Sequence, residues 1–130
     1  MKNEKGRMKN GRQPLLITDR SFDFAVRIVK LCRFLDERRG VPRVLGPQIL
    51  RSGTSVVSNI EEAQGAQSKA DFISKMSIAL KEARETHVRL RILAAADVIA
   101  ESKLMPLIDE AHELKLIIGA IIVSAKGNQR

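Results

Sequence analysis

Phe72, Met76, Ala79, Ala83, Thr86, Leu90 and Leu93 recur at alternating spacings of four and three, a pattern sustained for three heptads. That period places all seven side chains on one side of an α-helix. A lone helix cannot bury such a side, so it must pack against other helices. Ser68 stands where an N-cap is expected, with Asp71 three residues on as the returning acid of a capping box, and Ala-rich sequence carries the helix to about Ala100. Ile78, Glu85 and Ile92 mark a parallel line at a spacing of seven.

The rest of the chain repeats the pattern. From Ser21 to Leu35, Phe24, Ile28, Leu31 and Leu35 form one stripe, and Phe22, Ala25, Val29 and Cys32 a second beside it, giving a helix with a wide apolar face. Asp19 or Ser21 can cap its start, and Gly40 and Pro42 end it. Gly46 followed by Pro47 can open a second helix, although a start near Arg43 fits as well; it runs to about Gln64, where Gly65 closes it. Pro106 is compatible with the first turn of a further helix carrying Leu107, Ala111, Leu114, Ile118, Ile121 and Ala125. Short connectors between long helices favour antiparallel neighbours, so the expected fold is all-α, an up-down-up-down four-helix bundle. Its expected extent is residues 14–126, between a disordered basic tail at 1–13 and a disordered end at 127–130.

One stretch of the second helix, LRSGTSVVSNIEEAQGAQS, is polar where a core helix should not be. On a helical wheel it resolves into an apolar seam of Ile49, Gly53, Val56, Ile60 and Ala63, flanked by a polar seam of Gln48, Ser52, Ser55, Asn59 and Glu62. Ser52, Gly53 and Ser55 are small enough to let another helix approach closely, while Arg51, Asn59 and Glu62 can satisfy one another or a partner's backbone. Glu85 lies in line with Ile78 and Ile92, so its carboxylate would be costly to bury unpaired, and Arg51 is the cation expected to meet it. An interior glutamate can be an acid or base with a shifted pKa. With no companion nucleophile or metal cluster, an ion pair fixing helix register is the plainer reading. The sequence supplies residues for pairing within one chain or between subunits.

Charge is distributed unevenly. Residues 1–51 hold 13 of the 23 Lys and Arg against five acids, a balance of +8, whereas residues 52–130 hold 10 against 10. The excess lies in the N-terminal Lys2, Lys5, Arg7, Lys9 and Arg12 and in Arg38, Arg39 and Arg43 of the first connector. Such residues can neutralise phosphates of RNA or DNA with salt-dependent, sequence-blind affinity; the plainer alternative is a solvated arm. Trp and Tyr are absent and only four Phe are present, so base stacking has little to work with and contacts should go to phosphates. No apolar run reaches the length of a membrane span, no continuous apolar segment follows the basic start as in a secretory signal, and the single Cys32 suits a reducing cytoplasm.

Catalytic chemistry finds no support. A di-metal carboxylate bundle needs two carboxylate-x-x-His pairs. Only Asp109 and His112 have that spacing, since Arg84 stands at the matching place before His87. Ser52 and Ser55 lie within a helix, without the strained elbow of a serine hydrolase, and no phosphate-binding glycine pattern occurs. Arg84 and His87 are too close for the Arg–His pair of helical ribonucleases. No catalytic residue, metal or cofactor is therefore expected.

Residues 48–93 contain Q-x-L-R-S-G-T-S-V-x-x-N from Gln48 to Asn59, then Glu62 and Ala63, then S-x-A-D-F-I-x-K-x-x-I-A-L-K-E-A-x-E-T from Ser68 to Thr86. This run closely resembles the ribosomal-RNA intervening-sequence protein family, also called four-helix bundle proteins. Pro47, Val88 and Arg89 depart from the Asn and the aromatics common at those places. The resemblance implies an antiparallel bundle assembled into a ring-like homo-oligomer, commonly a pentamer, in the bacterial cytoplasm. A distant branch binds RNA and a reverse transcriptase as the accessory protein of diversity-generating retroelements. No catalytic residues carry over. The resulting expectation is a non-enzymatic oligomer binding RNA through basic residues, the alternative being a scaffold that docks a partner enzyme. Surplus apolar surface on the first two helices independently favours self-association.

Overall fold

The computed structural model describes residues 16–127. They form α1 (Ile17–Asp36), α2 (Val41–Gln64), α3 (Lys69–Ala95) and α4 (Glu101–Gly127), with no strand among the described residues. Each helix packs on its neighbours in sequence, and α4 returns to α1 to close the bundle. Antiparallel order is visible in the contacts. Along α1, Ile28 faces Gly53 of α2 and Leu35 faces Gly46; between α2 and α3, Ser52 meets Thr86 and Gln48 meets Arg89. Arg20 clamps α1 to α4 through a two-pronged contact with Glu110, at 3.0 Å from Nε and 2.7 Å from Nη2. The Glu110 carboxylate raises the Arg20 pKa, against a smaller opposing effect of burial.

Most of the core comes from the stripes expected of it, with Leu104 and Ile108 added on α4 and Leu31 of α1 only partly buried. Phe24, Ile28 and Leu35, Ile49, Val56 and Ile60, Met76, Leu90 and Leu93, and Leu104, Leu114 and Ile118 are almost wholly excluded from water. Fully burying a side chain of this size contributes roughly 1.5–3 kcal/mol. On α3 the heptad line holds throughout, with only Phe72 partly open. On α4 the stripe turns after Ile118 so that Ile122, rather than Ile121, completes the core, as the 3.6-residue helical period drifts against a strict heptad.

Helix ends depart from the sequence expectations for identifiable reasons. α1 starts at Ile17 after an extended Leu16 that supplies no side-chain cap, so neither Asp19 nor Ser21 caps it. Ser21 is buried instead, its hydroxyl donating to the Thr18 carbonyl. α2 starts at Val41, with Gly40 at φ +84° as the reversal and Pro42 in the first turn. Pro47 therefore lies inside α2. Proline normally excludes its predecessor from helical backbone by a clash with that residue's Cβ, and here the predecessor is Gly46, which has none. Pro106 likewise lies within α4, which begins at Glu101. α3 ends at Ala95 rather than near Ala100, because Asp97 adopts φ +59°. Val98 N–H then donates to the Leu93 carbonyl (3.0 Å) and Asp97 N–H to that of Ala94 (3.1 Å), the paired bonds of a Schellman stop.

The second stripe of α1 divides: Ala25 and Cys32 are buried, but Phe22 and Val29 are 52% and 39% exposed. The tail expected at 1–13 and residues 128–130 of the expected C-terminal end lie outside the described residues; Gly127 is the last residue of α4.

Candidate functional site

Between α1 and α2 the chain turns through Glu37–Gly40, bringing Arg38, Arg39 and Arg43 to one end of the bundle. All three are exposed. The Arg38 guanidinium lies 3.4 Å from the centroid of the Phe34 ring and donates to the Phe34 carbonyl at 2.9 Å, while Arg43 donates to the Asp36 carbonyl at 3.3 Å. These partners are a ring face and backbone carbonyls; no carboxylate lies within ion-pair distance of any of the three among the described residues. The charges of Arg38 and Arg43 are thus positioned by contacts that do not neutralise them. Lys2, Lys5, Arg7, Lys9 and Arg12, the other basic candidates, lie outside the described residues.

The interior charge differs from expectation in one respect. Arg51 does meet Glu85, at 3.1 Å within the same chain, but the more deeply buried acid is Glu82, 3.3 Å from the same guanidinium. The Glu82 side chain is 8% exposed and that of Arg51 56%, so the cation caps the carboxylate from the solvent side. Glu85 is only half-buried, because the line through Ile78 and Ile92 runs along the rim of α3 rather than into the core. It also receives Arg89 at 3.5 Å and Lys81 at 3.9 Å. The hydrogen bond and charge of Glu82, followed by the charge and hydrogen bond of Glu85, raise the Arg51 pKa. Glu82 Oε1 is buried with no well-aligned donor, although Arg51 Nη1 lies within ion-pair reach.

Of the polar seam on α2, only Ser52 is fully buried. Its Oγ lies 2.8 Å from Thr86 Oγ1, which also lies 2.8 Å from the Glu82 carbonyl. Two hydroxyl hydrogens thus satisfy a buried polar contact between α2 and α3. Asn59 donates to the Ser55 carbonyl of its own helix at 2.8 Å, and Glu62 is exposed. Gly53 lies close against Ile28 of α1, where a Cβ would come within 2.8 Å of Ile28 Cγ2.

The first of the two remaining features was not singled out by sequence reasoning; the second is the surplus apolar surface expected of α1. His87 and His112 stack across α3 and α4 with ring centroids 5.7 Å apart, and Lys115 Nζ lies 3.2 Å from His87 Nδ1. On α1, Phe22, Val26 and Val29 form an exposed apolar strip at helical spacing. Among the described residues, no group of three or more His, Cys, Asp or Glu is placed to hold a metal, and no helix is long and apolar enough to cross a membrane.

Comparison with known proteins follows this geometry. The family model described as 23S rRNA-intervening sequence protein matches residues 13–120. A crystal structure of a protein of unknown function from the S23 ribosomal protein family of Bacteroides thetaiotaomicron superposes with a TM-score of 0.77 at 42% identity, covering 82% of this chain and 98% of that one. No curated protein matches.

Proposed function

The chain belongs to the 23S rRNA-intervening sequence protein family, and on that premise we propose that it is a non-enzymatic cytoplasmic protein that binds RNA phosphates through basic residues, with little base specificity. The observation supporting this reading is the connector. Arg38, Arg39 and Arg43 are exposed together at one end of the bundle with no acidic partner among the described residues, and Phe34 holds one guanidinium in place. A phosphate can take the position no carboxylate fills, and arginine suits it through its planar fork of donors. The N-terminal basic residues would add sequence-independent affinity.

The test is RNA binding as a function of salt. Three neutralised phosphates account for a slope of about 2 to 3 in log K against log salt. The combined Arg38→Gln, Arg39→Gln and Arg43→Gln chain should lose about that much slope, and removing residues 1–12 should lower it further. An unchanged slope after both changes rejects the reading.

The exposed Phe22, Val26 and Val29 strip favours a second reading, a homo-oligomeric scaffold that docks a partner protein such as a reverse transcriptase, the pentamer being the form the family resemblance suggests. Light scattering that shows a strict monomer at micromolar concentration rejects self-association. Co-purification of a protein partner after nuclease treatment would favour docking over RNA binding.

A further inference from the structure

A groove of about 550 Å³ runs between the C-terminal half of α3 and the N-terminal half of α4. Val88, Ile92, Met105 and Ile108 form an aliphatic wall, and His87 and Arg91 contribute nitrogen donors. The volume lies within the range of small-molecule sites, roughly 300–1,000 Å³. Arg91 follows His87 by one helical turn, on the same face of α3. From α4, Lys115 reaches the His87 ring at 3.2 Å, and His112 lies against that ring. Glu101 is the acid of the lining and sits at the opposite end, about 10 Å of helix from Ile108 and farther still from Lys115.

This is an unusual balance of charge. Two permanent cations and two histidines converge, and no carboxylate lies within ion-pair distance of Arg91, His87, His112 or Lys115 among the described residues. Lysine has donors only, so its contact with Nδ1 requires that nitrogen to accept, which places the His87 hydrogen on Nε2. Burial first, then the charges of Lys115, Arg91 and His112, lower the His87 pKa. Burial and these charges favour the neutral imidazole, and an incoming anion would counter the charges.

We propose that the His87 end of this groove binds the phosphate of a small phosphomonoester whose apolar body lies along Val88, Ile92, Met105 and Ile108. The charge of Arg91 and Lys115 matches a phosphate dianion, whereas a carboxylate would leave one cation unanswered. Binding offsets the positive charges around His87 and draws the Lys115 ammonium from Nδ1 to the phosphate, so Nδ1 takes up a proton and becomes a further donor. The proposal is independent of RNA binding at the connector, since it uses other residues on other helices.

The test is a titration of the full chain with hexyl phosphate, with inorganic phosphate, hexanoate and hexanol as comparisons, followed by calorimetry and by NMR of the His87 ring. Hexyl phosphate should bind one per chain, and each comparison compound at least roughly tenfold more weakly. The His87 titration midpoint should rise on saturation. Arg91→Gln combined with Lys115→Gln, both accessible positions, should weaken hexyl phosphate at least roughly tenfold with unchanged helical circular dichroism. Absence of hexyl phosphate binding, whether or not a short RNA binds, overturns the assignment. So does equal binding by the double variant or an unmoved His87 midpoint.

Discussion

Replacing Gly53 by alanine probes the close approach of α1 and α2. An added Cβ would lie 2.8 Å from Ile28 Cγ2, 3.0 Å from Cγ1 and 3.3 Å from Cβ. Ile28 is fully buried and branched at Cβ, so it cannot rotate away and α1 must move back. Overpacking of this kind costs about 1–3 kcal/mol, against about 1 kcal/mol gained when alanine replaces a helical glycine. The expected net loss is therefore about 0–2 kcal/mol, and a double-mutant cycle separates the two effects. Ile28→Ala alone should cost about 2–5 kcal/mol through lost burial and a cavity. In that background the contacts to Cγ2 and Cγ1 are gone and only the 3.3 Å approach to the retained Cβ is left, so Gly53→Ala should instead stabilise, by at most about 1 kcal/mol. The coupling between the sites is then about 1–3 kcal/mol. Chemical denaturation followed by far-ultraviolet circular dichroism, at one fixed protein concentration because oligomers gain apparent stability by mass action, reads all four corners. If Gly53→Ala stabilises the unmodified chain by the full propensity gain and adds independently to Ile28→Ala, the close approach of α1 and α2 is refuted.

Two further predictions concern buried and strained positions. Burial pushes the Cys32 thiol up from 9.0 to about 11, and its Sγ–H donates to the Gly46 carbonyl at 3.3 Å. Because the folded pKa is the higher one, the stabilisation is complete below about pH 9 and is lost as pH rises through about 11. Denaturation midpoints relative to Cys32→Ala should be flat up to the lower value and fall between the two, and iodoacetamide should modify the folded chain far more slowly than the unfolded one. Asp97 occupies left-handed backbone at φ +59°, so Asp97→Gly should raise stability by about 0.5–1 kcal/mol, measured by the same denaturation; a loss would show that the aspartate side chain contributes to the stop.

The bundle was legible in the sequence because its α3 stripe is long and regular, and because Ser68 and Asp71 announce the start of that helix. In the structure Asp71 N–H donates to Ser68 Oγ at 3.0 Å, while the returning carboxylate bonds Gln67 N–H at 3.4 Å rather than the cap residue itself. The Arg51 and Glu85 pair was legible as well. Glu82 was missed although it stands three residues after Ala79 and four before Thr86, a spacing that belongs to the buried face. The seven-residue line through Ile78 and Ile92 diverted attention to the rim. Helix ends were the least legible features. Pro47 and Pro106 read as starts because proline favours the first turn; the glycine before Pro47 relieves part of the clash there, whereas α4 passes through Pro106 behind Met105, which has a Cβ. The α3 stop depends on an aspartate in a conformation usually given to glycine. The histidine cluster joins residues 25 apart in sequence, and no local pattern brings His87 to His112.

The length of α1 acts as a ruler. Its 20 residues span about 30 Å, with Leu16 at one end and the connector arginines at the other. Successive phosphates on one strand of duplex DNA advance about 3.4 Å, so on DNA about nine steps would separate a phosphate at Arg38 from one level with the start of α1. If the connector arginines bind phosphate as proposed, a duplex laid along α1 from them must be longer than this to extend past Leu16.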